Sequence, residues 1–363
     1  MGTNMAGKFM TQLSLKDALN KTLHHLMETD ASVIVIGEDI VGGAGTNLQK
    51  SPDTKSGINA GINADKELSV ELGGVFGVTA GLATRFGKAR VIDTPISETA
   101  FVGMGIGAAA TGLKPIVEVM FCDFMGVCFD QIINQAAKMR FLSGNQITLP
   151  LVIRTTMGAG DSSGAMHSQS LHGLLASMPG LKVVCPSNAA DAAGLLKSAL
   201  MDPNPVIMLE HKGLYTHQSA VEENLPAVPL GTGKTIKNGN AVTLVAVSAM
   251  VHKALEAANQ LTAEGIEVEI IDPRTISPLD IGLILKSVTK TGRLLVVDEG
   301  AAFAGFADAV ISLVSREGFS ALKQAPRKLT PKHTPVPYAP NLEQIWLPGT
   351  ANILETVKDM MND

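Results

Sequence analysis

The chain has 363 residues, 45% of them hydrophobic and only 17% charged, with 29 Lys and Arg against 34 Asp and Glu for a net charge of -5. That length predicts two domains with sizeable cores, and the acidic balance excludes nucleic acid or any other partner that needs a basic face. So little charge on so long a chain predicts that other subunits cover part of the surface.

Residues 1–12 read as a disordered leader, without the apolar core of a signal peptide or the arginines of a transit peptide. Ser14, with Asp17 three residues on, predicts a helix cap, and Leu15, Ala18, Leu19, Leu23, Leu26 and Met27 form its apolar stripe. A buried strand is expected at Val33 to Gly37, followed by a polar segment at 46–71 that reads as a long loop. Val91 and Ile92 end another strand, Pro95 breaks it, and Ser97 is placed to cap a helix that begins with Glu98. From Gly103 to Gly112 that helix holds nothing larger than Met104, so another surface can come close to it.

Apolar runs at Pro115–Phe121, Leu151–Arg154, Leu181–Cys185 and Val206–Leu209 alternate with helical stretches near 126–140, 168–177 and 188–201. That alternation predicts an α/β fold over 13–214, a mostly parallel sheet with helices on both faces. Residues 215–240 have little periodicity and read as a linker. The pattern restarts with a strand at Val242–Val247, a helix at Met250–Glu264 stopped by Gly265, and a strand at Val268–Ile271. A helix at 279–289, a strand at Arg293–Asp298 and a helix at 303–317 complete a smaller α/β domain over 241–363. No run of about 18 apolar residues is present to span a membrane. The spacing of Cys122, Cys128 and Cys185 suits neither a disulfide set nor a metal pair, so a reducing, cytoplasmic setting is expected.

Two glycine motifs lose their first appeal on context. Gly103-x-Gly105-x-Gly107 is separated from the preceding strand by a proline and about ten residues, which a dinucleotide fingerprint does not allow. Gly231-Thr-Gly-Lys-Thr235 has Val228 where a phosphate-binding loop needs its first glycine, and reads as a turn. The loop Gly158–Gly164 is read as flexible, and His167 beyond it, at a strand's carboxyl end, is read as functional, with His172 structural. Phe124 is either core or an aromatic face offered to a flat heterocycle beside Glu98, on strand ends expected to be neighbours. One acid, one ring and one imidazole at a sheet edge do not by themselves name a reaction.

At these residues the resemblance becomes specific. Asp93-Thr-Pro-Ile-Ser-Glu98, Phe129-Asp-Gln-Ile-Ile-Asn-Gln-Ala-Ala-Lys138, His167-Ser-Gln169, Pro179-Gly-Leu-Lys-Val-Val184, Asp272-Pro-Arg-Thr-Ile-Ser-Pro-Leu-Asp280 and His333-Thr-Pro-Val-Pro337 resemble the beta subunits of thiamin-diphosphate-dependent first components of 2-oxo acid dehydrogenase complexes. The likeness runs from about residue 11 to the end. Gly37-Glu-Asp39, Asp123-Phe124, Cys128-Phe-Asp-Gln131 and Glu210-His-Lys212 are most similar to acetoin dehydrogenase beta subunits, from which the loop at 46–71 and Asp161–Met166 depart.

The resemblance implies a pyrimidine-binding domain followed by a transketolase-type C-terminal domain. It implies that Glu98 bonds a ring nitrogen of the cofactor's aminopyrimidine, favouring the tautomer that removes the thiazolium proton, that Phe124 stacks on the pyrimidine and that Ile96 borders it. His167 would face the reacting carbonyl, and Leu151, Ala199, Leu200, Asp202 and Asn204 match a potassium site. By the same likeness, the second domain builds the subunit interface and docks the lipoyl acyltransferase core. No Gly-Asp-Gly with a later Asn-Asn pair occurs, so the diphosphate and its magnesium are expected on an alpha subunit in an α2β2 heterotetramer. The expected activity is cleavage of acetoin, or decarboxylation of a small 2-oxo acid, with acyl transfer to lipoamide. The alternatives are a pyruvate or branched-chain enzyme, a noncatalytic interaction subunit, and a self-sufficient transketolase, which the missing metal motif disfavours.

Overall fold

The computed structural model describes residues 10–42 and 73–362, so the expectations for residues 1–9 and for the loop at 46–71 lie outside the described residues, whereas residues 10–12, read as part of the leader, belong to a strand. Fourteen strands are described: β1 (Met10–Ser14), β2 (Val33–Glu38), β3 (Val91–Thr94), β4 (Lys114–Phe121), β5 (Val152–Met157), β6 (Lys182–Val184), β7 (Val206–His211), β8 (Gln218–Glu222), β9 (Lys234–Lys237), β10 (Val242–Ala246), β11 (Val268–Asp272), β12 (Thr275–Ser277), β13 (Leu294–Val297) and β14 (Arg327–Leu329). Among the described residues they form a seven-stranded sheet in the order β12-β6-β7-β5-β4-β2-β3, a five-stranded sheet in the order β14-β13-β10-β11-β9, and the pair β1-β8. Both larger sheets are parallel except for one antiparallel edge strand each, β12 in the first and β9 in the second.

Local sequence accounts for most of these elements. Ser14 caps the helix Leu15–Thr29 by accepting from the Asp17 N–H at 3.2 Å, and Leu15, Leu19, Leu23 and Met27 are buried against the first sheet, while Ala18 packs with Ala189, Ala193 and Val221. Leu195, Leu196, Ala199 and Leu200 of the helix Ala189–Met201 share that layer. On the opposite face, the helix Glu98–Ala110 lies on β4 so closely that a Cβ on Gly105 would sit 2.5 Å from a Val117 methyl. Gly105 is therefore small because its own sheet requires it, a Cβ on Gly103 would meet Gln131 at 3.2 Å, and Gly107 alone of the three faces open space.

Two features depart from the sequence reading. The stretch 215–240 contains β8, which pairs with β1, and β9, which edges the second sheet. β12, well inside the second half of the chain, crosses over to pair with β6 of the first sheet. One apolar cluster runs through both units, joining Leu175, Val183 and Cys185 to Val245, Ile276 and Val296.

The crossover is held by buried charge. Ser187 donates to Asp272 Oδ2 at 2.5 Å, the Arg274 N–H donates to Oδ1 at 2.9 Å, and Arg274 pairs with Asp191 at 2.9 Å. Asp272 has no exposed surface, and burial lifts its carboxyl from 3.8 to about 7. The native state therefore binds the extra proton between about pH 4 and pH 7, and stability falls as pH rises through that window, then levels. Asp272→Asn keeps the shape without the charge. Relative to the unaltered chain, it should be more stable at pH 8 than at pH 5 by on the order of 2–4 kcal/mol, read from unfolding midpoints at the two pH values. A pH-independent difference would remove the charge from this account.

Candidate functional site

The parallel strands of the first sheet deliver their chemistry at one edge. β2 ends at Glu38, β3 leads into Pro95, Ile96 and Glu98, β4 ends at Phe121 before Asp123 and Phe124, β5 leads to the 158–169 loop, and β7 ends at His211 beside Lys212. The carboxyl edge of such a sheet is where ligands bind in α/β folds.

Glu98 opens its helix and is only 6% exposed, yet its carboxylate takes no hydrogen bond or ion pair from any described residue. Its charged surroundings are acidic. Glu38, raised first by burial and then by the charges of Glu98, Asp39 and Asp93, shares the end of the sheet with it. The Cys128 thiol, pushed up to about 12 by burial with Glu98 adding to it, flanks the other side. Ser97 stands before the helix but does not cap it, because its hydroxyl donates to Pro95 O at 3.0 Å. Thr99 ties this corner to the segment after β4 by donating to Val127 O at 2.8 Å.

Phe124 and His167 do come together, with ring centroids 5.3 Å apart and nearly perpendicular. Phe121 completes a triad at 5.6 Å from Phe124 and 4.8 Å from His167, and Phe76 extends it to Tyr215. Phe124 also packs on the core, so both of its sequence readings hold part of the truth. Contrary to the expectation that their strand ends are neighbours, β2 lies between β3 and β4. Two strand spacings, about 10 Å, therefore separate the start of the Glu98 corner from the aromatic triad. Ile96, expected as an apolar wall, is 76% exposed.

The loop expected to be flexible is tied at every turn. The Gln169 N–H and side-chain amide donate to Asp123 Oδ1 at 3.3 and 2.8 Å. Lys212, 8% exposed, donates to Asp161 Oδ1 at 2.8 Å and to His167 O at 2.6 Å, with its ammonium 5.6 Å from the Phe121 ring. Glu299 accepts from His211 at 2.8 Å and from the Ala159 N–H at 2.5 Å. A Cβ on Gly158, which has φ +98°, would lie 2.2 Å from His211 Nε2, so only glycine lets the loop pass there. Beneath the triad, Arg154 donates to Glu118 at 2.7 Å and to both oxygens of Glu210 at 2.8 and 2.7 Å, and Tyr215 donates to Glu210 at 2.8 Å. None of these anchors was singled out as a site residue, because each is recognised only by a partner distant in sequence.

His172, expected to be structural, is buried with Nε2 3.0 Å from Asp298 Oδ1. Cys122, Cys128 and Cys185 are buried free thiols. Several of the residues matched to a potassium site already have protein partners here. Both carboxylate oxygens of Asp202 are committed, to Lys182 Nζ and to Asn204, while Asn204 Oδ1 accepts from Arg140 at 2.8 Å. Leu151 O and Ala199 O accept from the Val206 and Asp202 N–H groups. Lys182 and Arg140 are the cations that meet the Asp202 and Asn204 side chains, and the described residues hold no cluster of three His, Cys, Asp or Glu suited to a metal. No described helix is long and apolar enough to cross a membrane.

A cavity of about 530 Å³ opens on the far side of the loop, lined among others by Gln169, Ser170, Glu299, His333 and Trp346. Glu98, Phe124 and His167 do not line it. The residues present would suit a flat, basic heterocycle: a nearly buried acid without a partner among the described residues would meet a ring nitrogen, and an aromatic face lies across the corner.

Residues 11–218 match the family described as transketolase, pyrimidine binding domain, and residues 231–353 match transketolase, C-terminal domain. Acetoin:2,6-dichlorophenolindophenol oxidoreductase subunit beta of Cupriavidus necator is 46% identical over 96% of this chain and 98% of its own length. Its counterpart in Bacillus subtilis is 43% identical over 97% and 98%. Pyruvate dehydrogenase E1 component subunit beta of Rickettsia bellii is 40% identical over 96% and 98%. Among solved structures, a split-gene transketolase, inactive beta4 tetramer, superposes with a TM-score of 0.71 at 22% identity, over 96% of this chain and 98% of that one, a likeness of fold.

Proposed function

This chain belongs to the family of beta subunits of thiamin-diphosphate-dependent first components of acetoin and 2-oxo acid dehydrogenases, and on that premise we propose that it holds the pyrimidine half of an acetoin-cleaving site. The observation that carries the reading is Glu98, a carboxylate 6% exposed and without a partner among the described residues. A carboxylate largely shielded from solvent and without a protein partner is placed to take one from a ligand. The N1 nitrogen of an aminopyrimidine is such a partner.

When bound, thiamin diphosphate supplies the carbon nucleophile that attacks the substrate carbonyl. Glu98 holds a proton at the pyrimidine nitrogen, Phe124 presents its ring to the pyrimidine face, and Ile96 covers it from the side left exposed in the free chain. His167 orients the substrate carbonyl and then, by hydrogen bonding, the incoming oxidised lipoyl group, whose S–S bond breaks as one sulfur takes the acyl unit and the other leaves as a thiol. The alpha subunit holds the diphosphate and magnesium, since this sequence lacks the motif for them. The assembly is an α2β2 heterotetramer that passes the acyl unit to a lipoyl acyltransferase core in the cytoplasm, through a C-terminal domain over 241–363 that follows the pyrimidine-binding domain over 13–214.

Acetoin is placed ahead of pyruvate because the relatives named for acetoin are 46% and 43% identical and that named for pyruvate 40%. The reconstituted alpha and beta pair, assayed with an artificial electron acceptor, should turn over acetoin at least about tenfold faster than pyruvate or branched-chain 2-oxo acids, a ratio worth about 1.4 kcal/mol in the barrier. A preference for pyruvate would overturn the substrate. Tight binding of thiamin diphosphate by this chain without a partner would overturn the divided site.

A further inference from the structure

The loop that carries His167 is gripped from one side by a segment that no sequence motif connects to it. Glu343, 2% exposed in the helix Pro340–Trp346, accepts from the Gly160 N–H at 2.9 Å through Oε1. Its Oε2 accepts from the Ser162 N–H at 2.9 Å and from the Ser162 hydroxyl at 3.4 Å. No lysine, arginine or histidine pairs with Glu343 among the described residues, so loop dipoles alone meet its charge. Gly158, Gly160, Ser162 and Gly164 have φ of +98°, +116°, +60° and +75°. Such alternation turns successive N–H groups to one side and forms a concavity for an anion. Here the anion is built into the chain.

The same segment touches the loop again two residues further on, where a Cβ on Gly164 would meet the Tyr338 ring at 3.2 Å. The His167 N–H then donates to Gly164 O at 3.3 Å, which links the gripped stretch directly to the imidazole's own backbone. With Lys212 holding His167 O from the β7 side, the position of the imidazole is set between two walls. One of them belongs to the second half of the chain.

We propose that Glu343 is a positioning residue for the reaction, a carboxylate clamp by which the C-terminal half fixes the loop that presents His167. The proposal rests on the role given above to His167, and it assigns the second half a part in the chemistry beyond assembly and docking. A misplacement of a reacting group by about 1 Å costs on the order of a hundredfold in rate, so a clamp five residues from the imidazole has leverage over turnover without touching substrate.

The test uses the full chain assembled with its alpha partner, comparing Glu343→Gln and Glu343→Ala with the unaltered enzyme. Amide hydrogen exchange over 158–169 should rise about tenfold or more in the alanine variant and less in the glutamine variant, which retains one acceptor, while peptides over 98–110 stay unchanged. kcat should fall about tenfold or more, with KM and thiamin diphosphate affinity within about threefold, because Glu98 and Phe124 lie outside the clamp. Unchanged exchange over the loop would overturn the clamp. Faster exchange with unchanged kcat would overturn its part in the reaction, and so would a parallel fall in cofactor affinity. Should the alanine variant fail to assemble, the glutamine variant decides on the same readouts. Absence of thiamin-dependent turnover in the unaltered assembly would instead sink the functional reading, with exchange still deciding the clamp.

Discussion

Glu98→Gln in the assembled alpha and beta pair is expected to lower kcat by at least about 10²–10⁴, the range that removal of a proton-handling acid costs, while leaving assembly intact. Glutamine keeps the shape and can still accept a hydrogen bond, but it cannot share a proton with the pyrimidine nitrogen. The free chain supplies an internal control on this interpretation. Glu98 takes no hydrogen bond from the described residues and shares the end of the sheet with Glu38, whose carboxyl is raised by burial and then by the Glu98 charge. Neutralising it should therefore leave the unfolding midpoint unchanged or raise it slightly, the pattern of a residue kept for function against local electrostatic cost. A drop of 2 °C or more in the free chain would mark Glu98 as structural, and normal turnover would end the role assigned to it. Exchange of the thiazolium hydrogen, followed by NMR in the assembled enzyme, reports the step directly.

Arg154→Met is expected to be the most damaging single change to stability, by about 3–5 kcal/mol. The side chain is 1% exposed and serves two carboxylates at once, donating to Glu118 Oε2 at 2.7 Å and twice to Glu210. Its guanidinium stays charged because Glu210 and Glu118 outweigh the burial that opposes the charge, whereas Glu118 is raised, chiefly by burial, in spite of Arg154. Methionine fills similar volume but strands two buried acids, and proton uptake by one of them recovers only part of the loss. Arg154→Lys keeps the charge and loses the fork that spans both oxygens of Glu210, so its cost should be smaller. Urea unfolding of the assembled protein at neutral pH ranks the variants. A methionine variant within 1 kcal/mol of the unaltered chain would show that the network is not under the load described. Activity should fall too, because Tyr215, which donates to Glu210, stacks on Phe76, and Phe76 packs on Phe121 beside His167.

What the sequence makes legible is local. Ser14, the apolar stripe behind it and the alternation of runs from Pro115 to Leu209 fix elements within a few residues of their observed bounds, since each rests on the period of its own segment. Ser97 shows the limit even at short range: the position before the helix is right, but its hydroxyl turns back to Pro95 O. The stretch 215–240 hid β8 and β9 because edge strands of four or five residues with mixed polarity carry almost no periodic signal. Within the site, Glu98, Phe124 and His167 stood out by residue type and place after strand ends. Glu299 and Glu343 did not, being joined to the loop across 140 and 183 residues of chain. Ile96 is a different case. Its 76% exposure in the free chain is what a residue completed by another subunit would have.

The passage of β12 into the first sheet bears on how the molecule can be divided and how it can move. The two family segments, 11–218 and 231–353, suggest a seam between them, yet the strand that closes the first sheet's edge at β6 comes from Thr275–Ser277, beyond that seam. A fragment cut near residue 225 would present β6 as a bare, apolar edge, the kind of edge that recruits other chains. For the intact chain the same strand acts as a rivet. Opening the two halves like a hinge would break ladder hydrogen bonds between β12 and β6, so the strand resists their separation.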